Sequence, residues 1–390
     1  MARLARVEVF AADEVAIVHV MNRTVRRCFL LGDDAVTGKN YDHRKVWIDE
    51  QLVHQAKHFG IDLLCQAIMS NHLHLILRSR PDVVKDWNNN EVARRWLMLC
   101  PERRDEKRRP LEPTEFEINS IVNNKEKLAT VRCRLSDISW WMRLLSQNIA
   151  QRANREDNEV GKFWQARYRA VRLLDETAIL GCAAYVDLNP IRAAMAQTIE
   201  ASDFTSAQKR VASLRREHSV GGAQRAEPED DRNAGTATGT GAIPSTDLRG
   251  NKRRGENSGP GDRSGYSARH LAPVELNERN GRPGPDANRQ GARCSNKGFL
   301  PMSTAEYLSL LDWTARQQRS DKPGTTPKQF GRLFERLGIS AEAWNELVRN
   351  FGRLFSVVAG KPSTVDSHSS RSGSHRYRTR PVARDLLATV

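Results

Sequence analysis

An α+β fold built on one antiparallel sheet is what this sequence predicts, and three observations predict it. Short apolar runs of strand length stand at Val15 to Val20, Ile61 to Met69 and Leu73 to Leu77. Longer stretches of helical periodicity alternate with them, and the Ser70-Asn71 turn ties the second run to the third as a hairpin.

Taken in order, the first run leads into a basic loop at Arg23, Arg26 and Arg27. From Asp42 to Phe59 the positions Val46, Ile48, Leu52, Val53, Ala56 and Phe59 form a helical stripe, which Gly60 ends. The hairpin follows, then a short helix over Glu91 to Leu99. Residues 101–130 are charged and lack apolar periodicity, so a flexible insertion is expected there. Helix returns from Leu135 to about Arg152, with Trp140, Trp141, Leu144, Leu145 and Ile149 on its apolar face. Phe163 to Arg172 reads as a strand bearing Arg167, Arg169 and Arg172. Asp175 is placed to cap a helix over Glu176 to Leu188, stopped by Pro190. The resulting β-α-β-β-α-β order, with one further helix, is that of a ferredoxin-like core: helices on one face of the sheet, a site on the other.

Beyond residue 214 the composition changes. Residues 215–297 are rich in Gly, Ser, Asn, Arg and Pro and predict a disordered linker between a 10–214 catalytic domain and a small all-α C-terminal module over 298–362. In that module Ser303 and Glu306 have capping-box spacing, helices are expected over Pro327 to Leu337 and Ser340 to Val358, and Trp344, Phe351 and Phe355 would form its own core. Arg332, Arg336, Arg349 and Arg353 fall on its helix surfaces. A disordered tail is expected over 363–390.

The formal charge of +15 and pI near 9.9 favour a polyanionic partner, nucleic acid first. A mean hydropathy of −0.62 agrees with a partly unpacked chain. The six cysteines show no Cys-x-x-Cys spacing, which argues against a zinc site or disulfide framework, and no apolar run has the length of a signal or membrane segment. A cytoplasmic, non-membrane protein is expected.

Chemistry concentrates at His72-Leu73-His74. On a strand, residues i and i+2 share a face about 6.6 Å apart, so both imidazoles can serve one metal ion. Tyr185 and Asn189 stand four apart on the later helix, offering a phenol and an amide oxygen to one side. Two neutral imidazoles and an amide suit Mg²⁺ or Mn²⁺ with positions left for a phosphate. A free phenol has a pKa of about 10, so ionising Tyr185 at pH 7 costs about 4 kcal/mol, within reach of a metal and nearby arginines. Tyr168 ranks second as nucleophile because it has no polar partner four residues on. Arg23, Arg167, Arg169, Arg172 and Arg192 are candidates to grip a DNA backbone.

Met69-Ser70-Asn71-His72-Leu73-His74, together with Tyr185-Val186-Asp187-Leu188-Asn189-Pro190-Ile191-Arg192, resembles the two signatures of the single-tyrosine HUH transposases, and most of all the REP-associated tyrosine transposases of insertion-sequence type. The resemblance spans about residues 10–200. It implies a ferredoxin-like HUH endonuclease core and cleavage and rejoining of single-stranded DNA through a 5′-phosphotyrosyl intermediate. His72 and His74 would be metal ligands, Asn189 the third, and Tyr185 the nucleophile. Hairpin-bearing element or repeat ends would be the substrate, bound by a monomer or homodimer. The charged insertion and the C-terminal extension depart from the compact family pattern. Two other readings stand beside it: a non-catalytic nucleic-acid-binding protein that retains the fold, and a metal-dependent nuclease using water.

Overall fold

Alternation along two neighbouring strands organises the molecule. The computed structural model describes residues 13–34, 38–223, 267–276, 291–317, 327–373 and 377–388. Its sheet has the order β2-β3-β1-β4-β5, with β1 (Ile17–Arg23), β2 (Ile61–Ile68), β3 (His72–Ser79), β4 (Arg169–Leu173) and β5 (Val358–Ala359). The first four are mutually antiparallel and β5 adds parallel to β4, so the sheet is mixed rather than purely antiparallel. The register pairs Val18 with Leu77, Val20 with Leu75 and Asn22 with Leu73, and because paired residues point the same way these define one face. Met21 with His74 and Arg23 with His72 define the other.

The apolar face packs on α1 (His43–His58), where Ile48, Leu52 and Ala56 are buried. α2 (Pro81–Asp86) and α3 (Asn89–Leu99) extend the same core through Val84, Val92 and Trp96. The second half of the stretch expected to be a flexible insertion is helical. α4 (Glu115–Val122) opens with a full capping box between Thr114 and Glu117, and α5 (Lys125–Leu135) buries Leu128 and Val131 in that core. Ile121, Leu128 and Val131 are buried there, while Phe116 on α4 stays exposed. α6 (Ile138–Asp157) completes this layer with Trp141, Leu145 and Ile149.

On the opposite face lies α7 (Glu176–Asp187), capped as expected by Asp175, whose carboxylate accepts from the Ala178 N–H at 2.9 Å. α8 (Asn189–Arg192) and α9 (Ser206–Ala223) follow. The strand expected over Phe163 to Arg172 is shorter: only β4 pairs, and the preceding residues form a loop that touches β1 through the Thr24–Trp164 bridge.

Part of the expected linker is ordered. α9 runs to Ala223, and residues 267–276 and 291–300 lie along β2, with Ala272 N–H donating to the Leu63 carbonyl at 2.8 Å. Buried Leu271 and Val274 anchor that stretch. Residues 224–266 and 277–290 lie outside the described residues. The C-terminal helices α10 (Thr304–Gln317), α11 (Lys328–Leu337) and α12 (Ala341–Leu354) do not form a separate core as expected. Trp344, Phe351 and Phe355 are buried in one cluster with Ala183, Ala184 and Val186 of α7 and Val171 of β4. The expected disordered tail contains α13 (Pro362–Ser372) and α14 (Pro381–Leu387); Val365 and Tyr377 pack against β5, and Leu387 joins the main cluster. Among the described residues no helix is long and apolar enough to cross a membrane.

Candidate active site

The sheet places three imidazoles together. His72 and His74 sit two apart on β3 with ring centroids 4.9 Å apart, and His19 of β1 stacks on His74 at 5.1 Å. His19 Nε2 and His74 Nδ1 are hydrogen-bonded at 2.9 Å, and His72 Nδ1 lies 2.6 Å from Asn71 Oδ1. An amide oxygen only accepts, so the His72 proton sits on Nδ1 and its Nε2 carries a lone pair. Placing the His74 proton on Nδ1, toward His19, does the same for His74, whose Nε2 is buried without any hydrogen-bond partner.

Burial keeps these rings neutral. It pushes His72 down to about 4, with Arg23 and Arg192 nearby adding to the effect, and His19 down to about 3, with Arg169 adding to it. His74 is held well below its ordinary value, first by burial and then by its cationic and imidazole neighbours. Neutral imidazoles with bare Nε2 atoms are the form in which histidine binds a divalent ion, so the pair fits such an ion.

α7 delivers Tyr185 to the same place: its ring centroid is 5.4 Å from that of His74 and 5.9 Å from that of His19, edge to face in both cases. Arg192 lies over the Tyr185 ring at 4.0 Å and donates to the Tyr185 carbonyl at 3.2 Å. Pro190 has no N–H to extend the helical ladder, so the α7 helix ends at Asp187, and Asn189 begins α8 rather than standing a turn beyond Tyr185 on one continuous helix. Asn189 is buried and does not line the cavity around Tyr185. Among the described residues no three His, Cys, Asp or Glu side chains are placed to hold a metal, so a third donor has to be an amide, a water or a substrate oxygen.

The cavity measures about 630 Å³. Arg23, Arg167, Arg169 and Arg192 line it, while Arg172 lies on the other side of β4, ion-paired with Glu14. Arg167 and Arg169 are exposed. Tyr168 is buried in the opposite core, its hydroxyl 3.2 Å from Ser139 Oγ, and is remote from the histidines. Asp187 of the tyrosine motif is wholly buried and accepts from Ser206 Oγ, the Ala207 N–H and the Tyr307 hydroxyl at 2.5, 3.0 and 2.6 Å; it ties α7 to α9 and α10.

Two contributors were not foreseen from the sequence. His19 falls inside an apolar run, where its alternation with Val18 and Val20 is the only signal. The end of α12 is the other: Phe351 packs 5.7 Å from the Tyr185 ring, and a side chain at Gly352 would come within 3.0 Å of the Tyr185 hydroxyl. Arg192 donates to the Val348 and Arg349 carbonyls at 3.2 and 3.0 Å, fastening α8 to α12.

No family model and no curated protein matches the chain. Among solved structures the chain is similar to a REP-associated tyrosine transposase bound to a REP hairpin, at 11% identity and a TM-score of 0.31, covering 54% of this chain and 86% of the other. At that level the likeness carries no weight for the assignment.

Proposed function

We propose that the chain is a single-tyrosine HUH transposase that cleaves and rejoins single-stranded DNA, with Tyr185 as nucleophile. One observation carries the reading: three buried nitrogens with no partner, His74 Nε2, Arg23 Nε and Arg192 Nε, belong to residues that line the cavity holding Tyr185. Unsatisfied buried nitrogens are costly, and a metal ion on the imidazole with a phosphate on the guanidiniums would satisfy all three. The strand order β4-β1-β3-β2, antiparallel throughout, with α1 and α6 on the face away from the site, supports a ferredoxin-like core.

Each group has a task. Arg23 and Arg169 draw the backbone of the DNA into the cavity and neutralise the phosphate oxygens as charge grows on them. Arg192 holds the Tyr185 ring and, through α12, keeps it from swinging away. Tyr185 Oη attacks phosphorus, and as the Oη–P bond forms the P–O3′ bond breaks. The phenol proton leaves to solvent and the departing 3′ oxygen takes one up. The product is a 5′-phosphotyrosine and a free 3′-hydroxyl; an incoming 3′-hydroxyl reverses the step and rejoins the strand. A divalent ion, Mg²⁺ or Mn²⁺, held by His72 and His74 with a water or substrate oxygen as third donor, would polarise the scissile phosphate.

The test is a labelled single-stranded oligonucleotide carrying a hairpin, incubated with the full chain and Mn²⁺ and run on a denaturing gel. Label retained on the protein is the expected result. Cleavage without retained label would instead support a water-using nuclease, and salt-sensitive binding without cleavage a non-catalytic binder.

A further inference from the structure

We infer that the end of α12 forms the second wall of a single-stranded DNA cleft, with Arg349 and Arg353 as its phosphate-binding residues; the inference rests on the reading of the cavity as a DNA site. The C-terminal helices reach the cavity only at this point. Arg349 and Arg353 line it, as do Arg23, Arg167, Arg169 and Arg192 from β1, the loop before β4, β4 and α8, and among the described residues no Asp or Glu lines it. Six arginines without a carboxylate around one opening attract a polyanion and repel nothing in it.

Geometry separates these two arginines from the others on the same helices. Arg336 is spent on Glu176, at 2.6 Å, and Arg332 is exposed on α11 away from the cavity. The Arg349 and Arg353 side chains are exposed and have no acidic partner among the described residues, although their backbone carbonyls are tied down by Arg192 and Arg380. A rigid backbone with free guanidiniums is how phosphate-positioning residues are presented. Phe351, between them, is buried against Tyr185 and His19, so it sets the distance of this wall from the nucleophile and leaves the two arginines beside the opening. The two arginine sets, Arg167 and Arg169 on one side and Arg349 and Arg353 on the other, would hold the phosphates to either side of the scissile one.

The experiment measures binding of the full chain to a single-stranded deoxyoligonucleotide as a function of salt, without cleavage. Each phosphate contact on a single strand contributes about 0.7 to the slope of log K against log salt. The Arg349→Ala/Arg353→Ala variant is expected to lower the slope by about 1.4, the Arg349→Lys/Arg353→Lys variant to keep it, and Arg332→Ala to leave it unchanged. An unchanged slope in the double alanine variant, where Arg167→Ala/Arg169→Ala lowers it, would overturn the second wall and leave the transposase reading standing. Wild-type protein with no salt-dependent affinity for single-stranded DNA, or with preference for the matching ribo-oligonucleotide, would overturn both together.

Discussion

Two of the buried polar clusters among the described residues are built in opposite ways. At the outer edge of the sheet Asp62 is wholly enclosed and fully used: Arg78 and Arg80 donate to it at 2.7 and 3.2 Å, and Ser295 supplies both its N–H and its hydroxyl, at 3.0 and 2.9 Å. Around His74 the opposite holds, since Nε2 is left bare and neighbouring Arg23 and Arg192 each keep an unpartnered Nε. A saturated cluster is complete as it stands and holds the 291–300 segment to β2. An unsaturated one retains a cost that only a ligand can remove, which is why the second cluster is read as the site.

The largest effect should come from breaking the saturated cluster. Asp62→Ala leaves Arg78 and Arg80 with buried, uncompensated charge, and urea unfolding is expected to show a loss of about 3–5 kcal/mol. A loss below about 1 kcal/mol would mean that the network is not the anchor described.

The unsaturated cluster should respond to ligand instead. At Mn²⁺ 100-fold above its Kd the wild-type chain gains about 2.7 kcal/mol, read as a rise in Tm, and His74→Ala abolishes that rise. An equal Mn²⁺ shift in the variant would remove His74 from the ligand set.

A third test separates burial from function by pH. Burial holds His58 down to about 2 and His270 to about 4, so both are neutral when folded and take a proton on unfolding once the pH falls below about 6.5. Their stabilisation is full above that value and is lost as the pH falls toward the folded values, by about 1.4 kcal/mol per pH unit for each histidine. His58→Gln is expected to flatten the dependence of stability between pH 6.5 and 5; the same steepness as wild type would count against a buried neutral His58. The smallest effect is expected at Arg172→Ala, which breaks the pair between buried Arg172 and half-exposed Glu14 and should cost about 1 kcal/mol with no change in the salt slope of DNA binding. A fall in that slope would place Arg172 among the DNA contacts after all.

What the sequence made legible was whatever depended on local periodicity. The hairpin, the i and i+2 histidines, the Asp175 cap and the Tyr185 helix all follow from spacing alone. His19 was hidden because a single polar residue in an apolar strand looks like core until its neighbours in space are known. The α12 wall was hidden for a stronger reason: Phe351 meets Tyr185 across 166 residues of chain, and apolar periodicity gives the buried face of a helix without giving its partner. The helices between 101 and 135 had a readable signal in Thr114-Glu115-Phe116-Glu117, the spacing of the capping box the structure contains, but the surrounding charge obscured it.

The nucleophile is the point on which the account rests. Wild-type protein and Tyr185→Phe, incubated with a labelled hairpin-bearing single strand and Mn²⁺, are compared for label that stays with the protein after denaturation. The account predicts retained label for wild type and none for Tyr185→Phe, with equal affinity for the uncleaved strand. Label retained at the wild-type level on the phenylalanine variant would contradict it.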